Sequence, residues 1–482
     1  MPNLYPKKKS TSYTTNMTGR SRLLLIIFSF TILSLHLQAQ DILTLQEALA
    51  LGVKNYGSIK SKDFQVQGSQ HALSQVKRDY LPNVVLSAQQ VYGTVNGQNG
   101  PLYGFGGFGV ASSGLPLPEQ NWNAAFGALY LANINWEVFT FGRTRGRIEV
   151  ARATFEIAES DLAQEQFQHQ VRIAAAYLNV LGTQRLAVAQ QKNLDRAQVV
   201  KRSVTARAKN GLVAGVDSAL ANAEVANARI SLLRALDLQQ EEEKKLTLLI
   251  GSPGANTQLD SSFVFEVPVL NTRDTGVVSS HPVLAFYRSR VQQSLAQIKL
   301  GRKSYFPSVN LVGIFQTRAS GFDATYAQDQ TAFTHSYSDG ISPTRSNYLL
   351  GVGLVWNLTS IARTNAQVKS LNYFNMATQA ELDLAKQQLS TQSQIAEAKL
   401  SIAFQIQQET PVQVQSATDA YTQKSVLYQN GLTTLVDVTQ TLYTLNRAET
   451  DRDLAYINVW QALLLNAAAT GDLTLFTNEL NR

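Results

Sequence analysis

The stretches WEVFTFGRTR at residues 136–145 and NGLVAGVD at residues 210–217 recur 220 positions downstream, as WNLTSIARTN at 356–365 and NGLTTLVD at 430–437. Trp136 pairs with Trp356, Arg143 and Thr144 with Arg363 and Thr364, Asn210-Gly211-Leu212 with Asn430-Gly431-Leu432, and Gly251 with Gly471. No gap interrupts the alignment between Trp136 and Gly251. A spacing held so strictly marks one structural unit made twice, and with only two long copies the chain is a duplicated domain rather than a solenoid.

Upstream the offset changes. Tyr80-Leu81-Pro82 matches Tyr305-Phe306-Pro307, 225 positions on, so the first copy carries five extra residues between Pro82 and Trp136. At 482 residues the length alone suits about three domains; the duplication argues for one intertwined body instead.

The formal charge of +7 invites a nucleic-acid partner, but five Lys and Arg fall before residue 41, where there is no Asp or Glu. The remainder is close to neutral, which leaves no basic patch for nucleic acid. Those early charges, the apolar run Leu23–Leu35 and the small residues near Ala39 have the anatomy of a secretory signal peptide, assigned here to residues 1–40. Met17 would make a more ordinary start than Met1. The chain has no cysteine, so disulfides, thiolate metal sites and lipid attachment through an N-terminal cysteine are excluded.

Leu45–Tyr80 reads as one helix, opened by a capping box of Thr44 and Glu47 and stopped at Pro82. The period then shortens. Phe126, Ala128, Tyr130, Ala132, Ile134 and Trp136 share one parity; Tyr348, Leu350, Val352, Leu354 and Trp356 do the same in the second copy. Ten-residue alternating segments with Tyr and Trp near the ends are the pattern of transmembrane β-strands. Four strands, two in 82–139 and two in 307–358, cannot close a barrel, and lipid does not tolerate an open edge. Several copies of the chain must therefore share one barrel. The loop motif GFGGFG at 104–109 fits GxGxxG but has no following helix, so it does not read as a dinucleotide site.

Beyond each strand pair the period lengthens again. Ile148, Ala151, Phe155, Ala158 and Leu162 lie on one helix face in coiled-coil register. A helix over 143–209 would be roughly 100 Å long at 1.5 Å per residue, which suits a rod or tube and no compact globule. Return helices are expected at 217–249 and 437–469, after long helices at 143–209 and 363–429. Pro411 predicts a kink or break in the second long helix. The repeats thus occupy 41–251 and 279–471, joined by a connecting belt at 252–278 with strand-like Phe263–Val267, and followed by a tail at 472–482.

From Leu43 to the tail the chain resembles the TolC family of outer-membrane efflux proteins. The resemblance rests on LTLQEAL at 43–49, on the Leu81-Pro82 and Phe306-Pro307 entries to the strand pairs, and on Asn-Gly-Leu followed by Val-Asp at both helical turns. It implies a fold that is mainly α with membrane β: a homotrimer whose twelve strands, four per chain, close one barrel in the outer membrane, while long antiparallel helices form a periplasmic α-barrel. It also implies two kinds of partner. A periplasmic adaptor (membrane fusion) protein would dock on the tips Asn210, Gly211, Leu212, Asn430, Gly431 and Leu432. An inner-membrane pump of the resistance-nodulation-division or ATP-binding cassette type would supply the energy.

By the same resemblance Asp217 and Asp437 fall on acidic positions of the periplasmic pore mouth, and Tyr428 on a gating tyrosine. Each Asp equally suits an N-terminal helix cap, and both roles stay open. Tyr130, Trp136, Tyr348 and Trp356 are the candidate aromatics of the lipid interface. The chain departs from the family at Thr433 and Gln440, where some members carry Arg and a second Asp; an arginine lock and a double acidic ring are thereby put in doubt. Tyr56-Gly57 also stands where Asn-Pro is usual, although His281-Pro282 keeps the proline in the second copy.

The sequence contains no HExxH, GxSxG or GxxxxGK[ST], and its five histidines are scattered. It predicts no enzyme and no cofactor. The function expected is passive export through an outer-membrane channel-tunnel of a tripartite efflux or secretion system. The alternatives are a structural or adhesive scaffold spanning the periplasm, and an uptake porin, for which such long helices have no use.

Overall fold

A computed structural model describes residues 42–97, 114–252, 258–268 and 280–479; the expected signal peptide and the GxGxxG loop lie outside these. Helix α1 (Leu45–Asn55) begins with the capping box: Thr44 Oγ1 accepts from the Glu47 amide at 3.2 Å and Glu47 Oε2 from the Thr44 amide at 3.1 Å. The single helix expected over Leu45–Tyr80 is in fact two. Tyr56 adopts an extended backbone that ends α1 and opens α2 (Gly57–Arg78). Gly57 follows Tyr56 where the second copy has Pro282 after His281, and each pair opens a helix.

Strands β1 (Asn83–Thr94) and β2 (Ala124–Phe139) precede helix α3 (Arg143–Lys209), which turns back as α4 (Gly215–Ile250). The second copy supplies α5 (Pro282–Lys303), β3 (Ser308–Ser320), the short α6 (Tyr337–Ile341), β4 (Arg345–Val355), α7 (Ser360–Gln429) and α8 (Leu435–Thr470), with a final turn α9 (Thr474–Thr477). The strand-like Phe263–Val267 of the belt is instead a 3-10 turn, Ser262–Phe265, whose Val264 is buried. Val264 packs into the helical core, and among the described residues Ser262–Phe265 pairs with no strand.

The strands form one antiparallel sheet in the order β1-β2-β3-β4. Register lines up Leu86, Ala132, Phe315 and Tyr348 in one row, and Val84, Ile134, Gly313 and Leu350 in the next row of the same face. Side chains alternate across a strand, so the apolar parity of all four strands coincides on one side. The opposite side carries rows such as Ser87, Leu131, Gln316 and Asn347. Tyr348 is 80% exposed and Leu350 79%. Among the described residues β1 pairs only with β2 and β4 only with β3, so both margins of the sheet are bare.

The entry to each strand pair is tied off in the same way. Trp136 Nε1 donates to the Tyr80 carbonyl at 2.8 Å, and Trp356 Nε1 to the Tyr305 carbonyl at 3.0 Å. Phe141 and Gly142, at φ +52° and +89°, carry the chain from β2 into α3.

Two antiparallel hairpins, α3–α4 and α7–α8, make the rod, and α3 also packs on α8. The largest core surrounds the belt, midway along: Trp460, Tyr177, Ile173, Leu181 and Phe476 are fully buried there. Tyr177 donates its hydroxyl to the Leu43 and Asp260 carbonyls at 2.8 and 3.0 Å, and Trp460 Nε1 donates to the Glu266 carbonyl at 3.2 Å. Tyr177 and Trp460 thus keep their polar ends paired. Below this core the helices meet in small clusters, such as Leu194, Ala197, Val225, Ala228 and Leu442. Small residues let the backbones lie close over a great length.

No break occurs at Pro411: α7 is continuous from Ser360 to Gln429. The carbonyl that proline cannot pair belongs to Gln407, four residues back, and the Thr410 hydroxyl donates to it at 3.0 Å. Among the described residues no helix is long and apolar enough to cross a membrane.

Candidate functional site

The rod ends in two turns built alike. At the end of α3, Gly211 has φ +75° and the amides of Gly211 and Leu212 donate to the carbonyls of Ala208 and Arg207 at 3.1 and 2.9 Å. At the end of α7, Gly431 also has φ +75°, and the amides of Gly431 and Leu432 donate to Tyr428 and Leu427 at 3.0 and 2.9 Å. Both are Schellman closures, which need a residue in the left-handed region and so favour glycine. They leave Leu212 and Leu432 outermost, 67% and 72% exposed, with Val216 and Val436 exposed beside them.

The return helices start differently. Thr434 caps α8, its hydroxyl accepting from the Asp437 amide at 3.3 Å. The Asp437 carboxylate reaches back to the Thr434 amide at 3.3 Å and takes the hydroxyls of Thr433 and Thr434 at 2.5 and 3.0 Å. These bonds, led by that of Thr433, hold its carboxyl below the ordinary carboxylate value. The first copy has Val213 and Ala214 at the matching positions, and α4 has no side-chain cap. The Asp217 carboxylate makes no hydrogen bond or ion pair to any described residue. The two aspartates, equivalent by sequence, are therefore in different chemical states of engagement.

Tyr428 is 6% exposed, packed with Val204, Ala221, Leu435 and Val438 where the two hairpins meet. Its hydroxyl is buried without a partner. Burial, and next the charge of Asp217, raise its pKa, against the opposing charge of Arg207. Arg207, in the last turn of α3, was not singled out by motif. Its signals in the sequence were a cation in a helix C-terminal turn, where it complements free carbonyls, and a mismatch in the repeat, whose second copy has Leu427.

Of the remaining predicted site residues, Trp136 and Trp356 lie at the helix-proximal ends of their strands. Tyr348 stands exposed on β4. Tyr130 is joined to the loop that covers this part of β2: its hydroxyl donates to the Ile341 carbonyl and accepts from Gln90 Nε2, both at 3.2 Å.

Three solved outer-membrane proteins share the fold. VceC of Vibrio cholerae is 17% identical, with a TM-score of 0.70 over 89% of this chain and 96% of that one. CmeC of Campylobacter jejuni is 14% identical, with a TM-score of 0.72 over 89% and 85%. The open state of MtrE of Neisseria gonorrhoeae is 15% identical, with a TM-score of 0.70 over 89% of each chain. No curated protein matches the sequence. The family described as outer membrane efflux protein matches residues 54–252 and 277–464, and the chain belongs to that family.

Proposed function

We propose that the chain is one third of a homotrimeric channel-tunnel of a tripartite efflux or secretion system, lying in the outer membrane of a Gram-negative bacterium and reaching into the periplasm. The observation that carries the reading is the pairing of a four-stranded sheet, apolar on one face and bare at both margins, with hairpins roughly 100 Å long. Three copies would join β4 to the next β1 and close twelve antiparallel strands, with Trp136, Trp356, Tyr348 and Tyr130 near the lipid interfaces. The hairpins would continue the bore away from the membrane. Transport down such a bore needs no chemistry from this chain; an inner-membrane pump of the resistance-nodulation-division or ATP-binding cassette type would drive it.

The tips would take the periplasmic adaptor. Leu212, Leu432, Val216 and Val436 give each tip exposed apolar contacts held in place by Asn210-Gly211 and Asn430-Gly431. At the mouth, threefold symmetry would gather the Asp217 carboxylates into a ring that favours cations. Asp437 would serve mainly to complete the capping box that Thr434 opens at α8.

Purified protein in detergent, sized by light scattering and then inserted into planar bilayers, tests the reading. A trimer that conducts supports it. A stable monomer in water without detergent, or a trimer that never conducts, removes it.

A further inference from the structure

The four strands are nearly free of charge. Their only charged side chains are Glu137, ion-paired to Arg143 at the helix-proximal end of β2, Arg318 of β3 and Arg345 of β4. Arg318 and Arg345 are direct partners in register and both are exposed. They stand on the face opposite the apolar one, at the end of the sheet away from the helices. The bonds around them fix that register. The Thr344 amide donates to the Arg318 carbonyl at 2.9 Å, the Thr317 hydroxyl to the Arg345 carbonyl at 3.2 Å, and the Ser346 hydroxyl to that of Thr317 at 3.1 Å.

Like charges held directly opposite cost stability, and the hairpin does not require them. In the first copy the matching positions are Gly93 and Ala125, themselves partners in register, and that ladder pairs without a charge. The loop between β3 and β4 carries its acids in its own turns and on the other side of the sheet. Asp323 takes the amide and hydroxyl of Thr325 at 3.1 and 3.0 Å, and Asp329 those of Thr331 at 2.9 and 2.6 Å. Asp339 rides on α6, which packs on Phe126 and Tyr130 of the apolar face.

We propose that Arg318 and Arg345 form an anion-binding position inside the bore, where three copies would set six guanidiniums around one level near the outer exit. This rests on the channel reading above, which turns the face opposite the apolar one toward the bore. The ring attracts and briefly holds carboxylate or phosphate groups of exported solutes. A guanidinium presents a planar fork of donors that fits either group, and rings of Arg in a low-dielectric wall favour anions. The Asp217 carboxylates would stand at the opposite end of a rod roughly 100 Å long, far beyond the Debye length of about 8 Å at physiological salt. The two ends therefore act on ions independently, with opposite sign.

A rod of that length does not cross a bilayer, so trimers added to one chamber insert barrel first and turn the arginines toward the other chamber. Inositol hexakisphosphate is the probe and uncharged inositol its control. In unaltered trimers the probe is expected to reduce conductance from the barrel side at concentrations about ten-fold lower than from the rod side, and inositol from neither. Arg318→Gln combined with Arg345→Gln is expected to raise the half-blocking concentration from the barrel side about ten-fold, the change that 1.4 kcal/mol produces. It should also move the reversal potential in a potassium chloride gradient toward cation preference. Arg318→Lys with Arg345→Lys keeps the charge and loses the fork; the reversal potential should stay in place while part of the block is lost.

Block that is equal from both sides in unaltered trimers, or that persists at the same concentration in the Gln pair, overturns the ring. Should the Gln pair yield no trimer, the side-dependence of the unaltered protein and the weakened block in the Lys pair decide the matter. Conducting trimers that ignore the probe from the barrel side overturn the ring and leave the channel reading intact. No conductance from any preparation, the unaltered protein included, removes the channel reading and the ring with it.

Discussion

The Thr410 hydroxyl donates to the Gln407 carbonyl at 3.0 Å, and this is the carbonyl that Pro411 leaves without an amide partner. Both Thr410 and Gln407 are buried, so water is a poor substitute. Thr410→Val, which keeps the shape and deletes the donor, is expected to cost about 1–3 kcal/mol, the range for a buried acceptor left unpaired. In a Pro411→Ala background, where the amide is restored, the same substitution should cost much less. A double-mutant cycle followed by helical circular dichroism through urea unfolding measures the difference. Equal costs in both backgrounds would show that the hydroxyl does not compensate for the proline.

The two tip aspartates should separate by readout. Asp437→Asn or Thr434→Ala weakens the cap hydrogen bonds and is expected to destabilise the start of α8. Faster amide hydrogen exchange at residues 435–440 reports it. Asp217→Asn removes a carboxylate that bonds to nothing among the described residues, so exchange at the first turn of α4 should stay as it was. Its effect belongs in the cation selectivity of the trimer, read as a reversal potential in a salt gradient.

Mild acid should loosen the belt through two histidines. His281 Nδ1 accepts from the Val283 amide at 3.1 Å, so its proton is on Nε2, which faces the Ala468 carbonyl at 3.2 Å. His169 points Nε2 at the Leu249 carbonyl at 3.0 Å and stacks on Tyr56 with ring centres 3.8 Å apart. Burial lowers both pKa values, outweighing the carbonyls that raise them. A depressed folded-state pKa gives stability that is complete above the unfolded value, about 6.5, and is lost as pH falls from there through the folded value. His281→Asn keeps a capping acceptor for Val283 and removes the titration. The melting temperature should fall as pH drops below about 6.5 in the unaltered protein and fall less in His281→Asn.

A second acid-sensitive tie lies further down the rod. Arg196 meets Glu449 through two hydrogen bonds, Nη1 to Oε1 at 3.0 Å and Nη2 to Oε2 at 2.5 Å. Burial pushes the Glu449 carboxyl up, but the bonds and charge of Arg196, helped by Lys192 and Arg452, hold it below the ordinary value. Its stabilising effect is therefore present above the ordinary glutamate pKa of about 4.3 and disappears as pH falls through the lower, folded-state value. Glu449→Gln should be less stable at neutral pH and should converge on the unaltered protein in strong acid. Parallel stability curves at all pH values would exclude the pair as a source of stability.

Much of the fold was legible because duplication doubles every signal. The alternation of Phe126 to Trp136 alone is ambiguous; its return in Tyr348 to Trp356 makes a sheet apolar on one side the economical reading, and the register aligns these positions. Local exceptions were harder. Tyr56 breaks a helix through its own extended backbone, with only Gly57 beside it as a weak cue. Phe263–Val267 alternates like a strand, yet among the described residues it pairs with no strand and packs on helices. Pro411 should interrupt a helix by the usual rule, but a neighbouring hydroxyl, useful only in three dimensions, offsets the loss. At the tips, Val-Asp recurs identically while Thr434 and Ala214 decide which aspartate becomes a cap. Arg207 was visible only as a place where the two copies disagree.

The bare margins of β1 and β4 have a further consequence. Each copy adds four strands of alternating direction, so a ring closed margin to margin can grow only in steps of four, and its diameter rises with strand number. In the proposed assembly bore size would be quantised by subunit number and would not drift by a strand. A missing copy would leave a gap too wide for its neighbours to mend by adjusting tilt.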